Sequence, residues 1–122
     1  MSTANQILEI ERIATSYMNY TSKQLEERFF REWKSIKKGE GVPIRGDIRQ
    51  FWRGVANNLK DNILKNRDVI SVTMGYITAQ VLAYLETLGV DLIAYKIPVA
   101  LFVALVAKSV FDQLEAERSR KS

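Results

Sequence analysis

Arg45, Arg49, Arg53, Lys60 and Arg67 follow one another at spacings of four, four, seven and seven residues. On a helix at about 100° per residue, all five fall within an arc of about 80°. Cations aligned one turn apart can track a phosphate backbone, arginine through its forked donors and lysine as a point charge. Ile48, Phe51, Val55 and Leu59 lie on a separate arc centred about 100° or more away, the pattern of a core-seeking stripe. Trp52 lies between the arcs, where an indole can stack on a base or turn inward as core. Asp47 and Asp61 lie away from the basic arc. The same spacing also suits a solvated face whose arginines pair with carboxylates of neighbouring elements.

A second basic group, Arg28, Arg31, Lys34, Lys37 and Lys38, precedes this one. Arg31, Lys34 and Lys38 share one side of a helix. If the two helices pack as an antiparallel hairpin, both basic faces meet in one groove. The set expected to contact phosphates is Arg49, Arg53 and Lys60 first, Arg45 and Arg67 next, with Lys34, Lys37 and Lys38 as a second group and Trp52 as the stacking candidate. Nothing in the sequence suggests base-edge readout. A helix-turn-helix is disfavoured, because the join is about 10 residues against the 3–4 of that motif.

The charge distribution sharpens this. The chain of 122 residues has 18 basic and 14 acidic groups, a net +4. Residues 28–67 carry 11 basic and four acidic groups, a net +7, while residues 1–27 and 68–122 are net −2 and −1. Such clustering suits a polyanion partner or a helix face kept soluble by lysine and arginine.

Other chemistry is restricted. The chain has no cysteine and no histidine, which removes disulfides, thiolate nucleophiles, imidazole bases and the common soft metal ligands. Carboxylates, lysine and tyrosine would have to carry any reaction, so the expectation is a non-catalytic protein with no metal and no cofactor. The opening "MSTANQILEIERIA" is acidic and amphipathic rather than a secretory signal, and the expected compartment is the cytoplasm. The tripeptide Arg45-Gly46-Asp47 also occurs in cell-adhesion motifs; without a secretion signal it is set aside as coincidence.

The elements that must position these residues are helical. Composition (47% hydrophobic, 26% charged) is that of a single globular domain, residues 1–122. Ile7, Leu8, Ile10, Ile13, Ala14, Tyr17 and Met18 predict a first amphipathic helix. Thr21 and Gln24 form a capping-box pattern that opens a second, with Leu25, Phe29, Trp33 and Ile36 as its stripe. Residues 37–47 read as an internal loop rich in glycine. The third helix is expected from about Asp47 to Asn66. In the fourth, Ile70, Met74, Ile77, Val81, Tyr84 and Leu88 recur at helical spacing, and Gly89 stands where a C-terminal cap belongs. Pro98 suits the first turn of a fifth helix running to about Arg118, with residues 119–122 as a flexible basic tail. The expected fold is all-α, a compact bundle of about five helices, its centre built from the fourth and fifth. Part of their surface is alternatively a subunit contact, with Tyr76 and Tyr95 at it.

The run Ile97–Ala107 is apolar over 11 residues, short of the roughly 20 a spanning helix needs. It reads as a buried core helix without membrane contact. Two rival readings differ in class. One is a helical protein-interaction adaptor whose basic face meets an acidic partner. The other is a membrane-associated protein inserting residues 88–107, with the basic hairpin on anionic lipid.

The string Ile48-Arg49-x-Phe51-x-x-x-Val55, following a basic loop, resembles a helix start in the small subunits of multi-subunit CRISPR interference complexes, of type III or type I-D. The likeness covers about eight residues closely and the remainder only in length and helicity; the hydroxyl cap seen in type III subunits is replaced here by Arg45-Gly46-Asp47. It implies a helical, non-catalytic subunit of an antiviral ribonucleoprotein, present in several copies. Such subunits bridge the large subunit to the backbone subunits and contact guide RNA paired with target DNA or RNA, or the displaced strand, through basic surface.

Overall fold

The computed structural model describes residues 4–35 and 48–121. They form five helices, α1 (Ala4–Ser16), α2 (Ser22–Ser35), α3 (Ile48–Lys65), α4 (Met74–Thr87) and α5 (Lys96–Lys121), with no strand among the described residues. This is the expected all-α bundle. The 37–47 segment lies outside the described residues.

Local chemistry sets the helix ends. At the start of α2 the Gln24 amide donates to Thr21 Oγ1 at 3.1 Å, and the Thr21 amide donates to Gln24 Oε1 at 2.9 Å. This is the reciprocal capping box that the sequence suggests. Gly89 ends α4 with φ of 85°, the left-handed region. There the Val90 amide donates to Leu85 O and the Gly89 amide to Glu86 O, the paired bonds of a Schellman turn. The Asp91 side chain then accepts from the Ile93 and Ala94 amides, opening the turn that leads into α5. Pro98 lies in the first turn of that helix, where a missing amide hydrogen costs nothing.

Two boundaries differ from expectation. Helix α4 begins at Met74 rather than near Ile70, because the Thr73 hydroxyl caps it by accepting from the Tyr76 amide at 3.1 Å. Val69 and Ile70 consequently lie in the preceding turn, 82% and 38% exposed. Helix α5 continues through Lys121, three residues past its expected end near Arg118.

Helix α5 is the axis of the bundle and contacts each of the other four helices; α1 and α3 also lie against α4. Val99 to Ala104 are consecutively buried, which means that every face of this stretch meets protein. By length and composition α5 is long and apolar enough to cross a membrane; in the fold its apolar half is the core. Around it lie Ile10 and Ala14 of α1, Leu25 and Phe29 of α2, Val55, Leu59 and Ile63 of α3, and Ile77, Val81 and Leu85 of α4. Each large apolar side chain buried in this way contributes about 1.5–3 kcal/mol.

An aromatic cluster joins α2, α3 and α5. The Trp52 ring lies 5.5 Å from Phe29, 5.0 Å from Trp33, 5.2 Å from Phe51 and 5.2 Å from Phe102, each edge to face. Trp33 also stacks on Tyr95 at 5.2 Å. Such pairs add roughly 0.5–1.5 kcal/mol each beyond burial. They tie together helices that are remote in sequence.

Candidate nucleic-acid interface

The basic stripe of α3 lies where the helix turns from the core towards its neighbours, and carboxylates of other helices meet it along its length. Arg53 Nη2 donates to Glu26 Oε1 at 2.6 Å and Arg53 Nε to Glu26 Oε2 at 3.4 Å. Arg49 Nη1 reaches the same Oε1 at 3.5 Å, and its guanidinium sits 4.5 Å above the Phe30 ring. A single carboxylate on α2 therefore orients two guanidiniums on α3. Further along, Arg67 pairs with Glu117 of α5 at 3.2 Å and donates to Leu64 O at 2.7 Å. Lys60 is half-buried and lines a polar recess of about 470 Å³ with Asp112, Glu117 and Arg120. Arg49 and Arg53 thus strap α3 to α2, and Arg67 ties the turn after α3 to α5.

These cations nevertheless stay open to solvent. The side chains of Arg49 and Arg53 are 46% and 61% exposed. Arg45, Lys37 and Lys38 lie outside the described residues, as does the side chain of Lys34.

Trp52 requires a correction. It is 2% exposed and forms the hub of the aromatic cluster, so it does not offer a ring at the helix border for a base to stack on. Of the second basic group, only Arg28 and Arg31 have described side chains. Arg31 is exposed, but on the helical wheel it falls about 140° from Glu26, away from α3. Arg28 turns the opposite way, with its guanidinium 5.5 and 5.4 Å from the Tyr17 and Tyr20 rings and donating to Tyr20 Oη at 3.2 Å. Among the described side chains, the α2 wall facing α3 is therefore marked by Glu26.

What lies between α2 and α3 is a cleft of about 310 Å³. Its floor is Phe29, Phe30, Trp52, Ala56, Phe102 and Leu105; Ser22, Glu26, Arg53, Asn57 and Ser109 form the rim. Sequence reasoning did not find this cleft or the role of Glu26. The available signal was Glu26 standing three and four residues before Phe29 and Phe30, which puts a carboxylate over an aromatic doublet on one helix face.

The described residues hold no group of acidic side chains suited to a metal ion. The arrangement presents two oriented guanidiniums, Arg49 and Arg53, that remain partly open to solvent. Comparison with known proteins finds no matching family model, no similar curated protein and no similar solved structure.

Proposed function

We propose that this chain is a non-catalytic, cytoplasmic nucleic-acid-binding subunit that contacts phosphates through the rim of α3. The observation that carries this reading is the pair Arg49 and Arg53. They stand one turn apart with side chains 46% and 61% exposed, within the segment of net charge +7. Glu26 holds both in place, so little side-chain entropy remains to be lost when a phosphate arrives. Lys60 continues the line along α3, and Arg67 stands in the turn just past its C-terminal end. Contacts of this kind are blind to sequence. The finer proposal is a small subunit of a CRISPR interference complex, several copies of which bridge large and backbone subunits beside guide RNA and its target. It rests on the Ile48–Val55 string together with the helical fold.

The test is salt-dependent binding of a labelled single strand. Replacing Arg49 and Arg53 by glutamine should weaken binding to all sequences alike and lower the salt slope by about 0.7 per lost phosphate contact on a single strand. Unchanged affinity and slope in a variant that keeps its helical spectrum would defeat the reading. Affinity purification from the native host, with sequencing of co-eluting RNA, tests the subunit assignment.

One observation favours a second reading. Helix α5 has the length and composition of a membrane-spanning segment, and insertion of residues 88–107 predicts co-sedimentation with anionic vesicles. It would require α5 to leave contacts with all four of its neighbours.

A further inference from the structure

We infer that Lys60 of α3 and Arg120 of α5 form a second phosphate site, placed beyond the Arg49–Arg53 pair so that one strand crosses both. The ligand is a phosphate group, carried either by that strand or by a small free molecule. For the strand, this deepens the phosphate-binding reading and rests on it.

Charge, pairing and position carry the assignment. Lys60 is half-buried and Arg120 exposed, and they reach one recess from helices remote in sequence. Neither forms an ion pair among the described residues, whereas Arg49, Arg53 and Arg67 all do. Glu117 also lines the recess, but its carboxylate is held by Arg67 at 3.2 Å. Two cations therefore stand against one remaining carboxylate, Asp112, and the balance favours an anion. Hydroxyl, amide and charged groups make up nearly all of the lining, which suits a hydrated phosphate and not an apolar ligand. A forked guanidinium beside a point-charge ammonium combines the two side-chain forms that bind phosphate. Ser22 and Ser109 line both this recess and the cleft whose rim holds Arg53, so the two openings adjoin. Along α3, Arg53 and Lys60 stand about 10 Å apart. From Arg49 to Lys60 the helix rises about 16 Å, room for about five phosphates at the roughly 3.4 Å spacing of a stacked strand.

The experiment titrates the full chain with oligothymidylates of graded length, by anisotropy over a range of salt. Inorganic phosphate is titrated separately and followed at the Nε–Hε signal of Arg120. Affinity should rise with length to about five nucleotides and then level off. Lys60→Gln and Arg120→Gln should each lower the salt slope by about 0.7 and bring the plateau to shorter strands. Arg12→Gln, which removes an exposed charge from α1, should change neither, and circular dichroism checks that every variant keeps its helices. A lower slope in Arg120→Gln with no response to inorganic phosphate supports the strand as the source of the phosphate. A slope that responds to Arg120→Gln no more than to Arg12→Gln would overturn the second site and leave the Arg49–Arg53 reading standing. Phosphate binding at Arg120 without strand binding would support the site with a small ligand and defeat the strand reading. Failure of strand and phosphate alike would overturn both.

Discussion

Glu26 on α2 accepts a 2.6 Å hydrogen bond from Arg53 on α3, across 27 positions of sequence. The two physical readings of arginine at every fourth residue, pairing with carboxylates and presentation to phosphate, therefore meet in one geometry. The carboxylate fixes where the guanidiniums stand. It also competes with any phosphate that approaches them.

Glu26→Gln should separate these two effects. The ion pair is partly exposed, and such pairs contribute about 0.2–1 kcal/mol, so urea unfolding should show a loss of that size. If the proposed function is right, strand affinity should rise instead of falling, because the competing charge is gone. Anisotropy titrations at two salt concentrations would read this directly; a fall in affinity would mean that Glu26 acts mainly by orienting Arg49 and Arg53.

Trp52→Ala should destabilise the chain by about 3–5 kcal/mol, the usual cost of emptying a large aromatic site in a core. The ring meets four other aromatics, and the cavity would open onto the cleft. Trp52→Phe should recover much of the loss while removing the unsatisfied Nε1. Chemical denaturation of both variants separates the packing of the ring from the cost of its unsatisfied donor.

Gly89→Ala should cost about 1 kcal/mol or more. Open space surrounds the position, with nothing within 4 Å of an added Cβ, so the cost comes from the backbone. A φ of 85° places an L side chain against its own carbonyl. Thermal unfolding should show the lower midpoint, with helical content unchanged.

How far the sequence disclosed all this depends on the range of the interaction. The Thr21–Gln24 box and the Gly89 cap were legible because donor, acceptor and backbone conformation lie within a few residues of one another. The fourth helix was expected to begin too early because Ile70 continues the apolar spacing, whereas the Thr73 hydroxyl, a single local group, decides the start. The candidate site was legible only on one side. Helical angles place Arg49, Arg53 and Lys60 together on α3, while Arg67 falls in the turn beyond it; the carboxylates Glu26 and Glu117 come from α2 and α5, whose packing against α3 no local pattern specifies. Trp52 shows the limit of the wheel. Its angle on the border of two arcs was ambiguous, and contact with Phe29, Trp33 and Phe102 from other elements resolved it inward.

Lys108→Met should destabilise by about 1 kcal/mol, the net scale of one hydrogen bond. The ammonium on α5 donates to Met18 O at 3.2 Å, just past the C-terminal end of α1, where a positive charge complements the helix dipole. Methionine keeps the stem and removes the donor. Amide exchange should then quicken in the turn at Tyr17–Tyr20 more than elsewhere, a local signature that general loosening of the core would not produce.

Acidification should weaken the tie between α1 and α5. Lys96 Nζ donates to Glu9 Oε1 at 2.8 Å, and this bond, followed by the charge of the ammonium, holds the Glu9 carboxyl below its ordinary value of 4.5. A carboxyl depressed by folding binds its proton less readily in the native state than in the unfolded one. Its stabilising contribution is therefore complete above the ordinary glutamate range and is lost as pH falls through the lowered value. Glu9→Gln should flatten that part of the pH–stability curve, meeting the wild type at the acid end and lying slightly below it near neutrality, by an amount kept small because the pair is exposed and screened by salt. Urea midpoints measured from pH 7 down to pH 3, for the wild type and the variant, give the comparison; parallel curves would show that Lys96 and Glu9 are not coupled in solution.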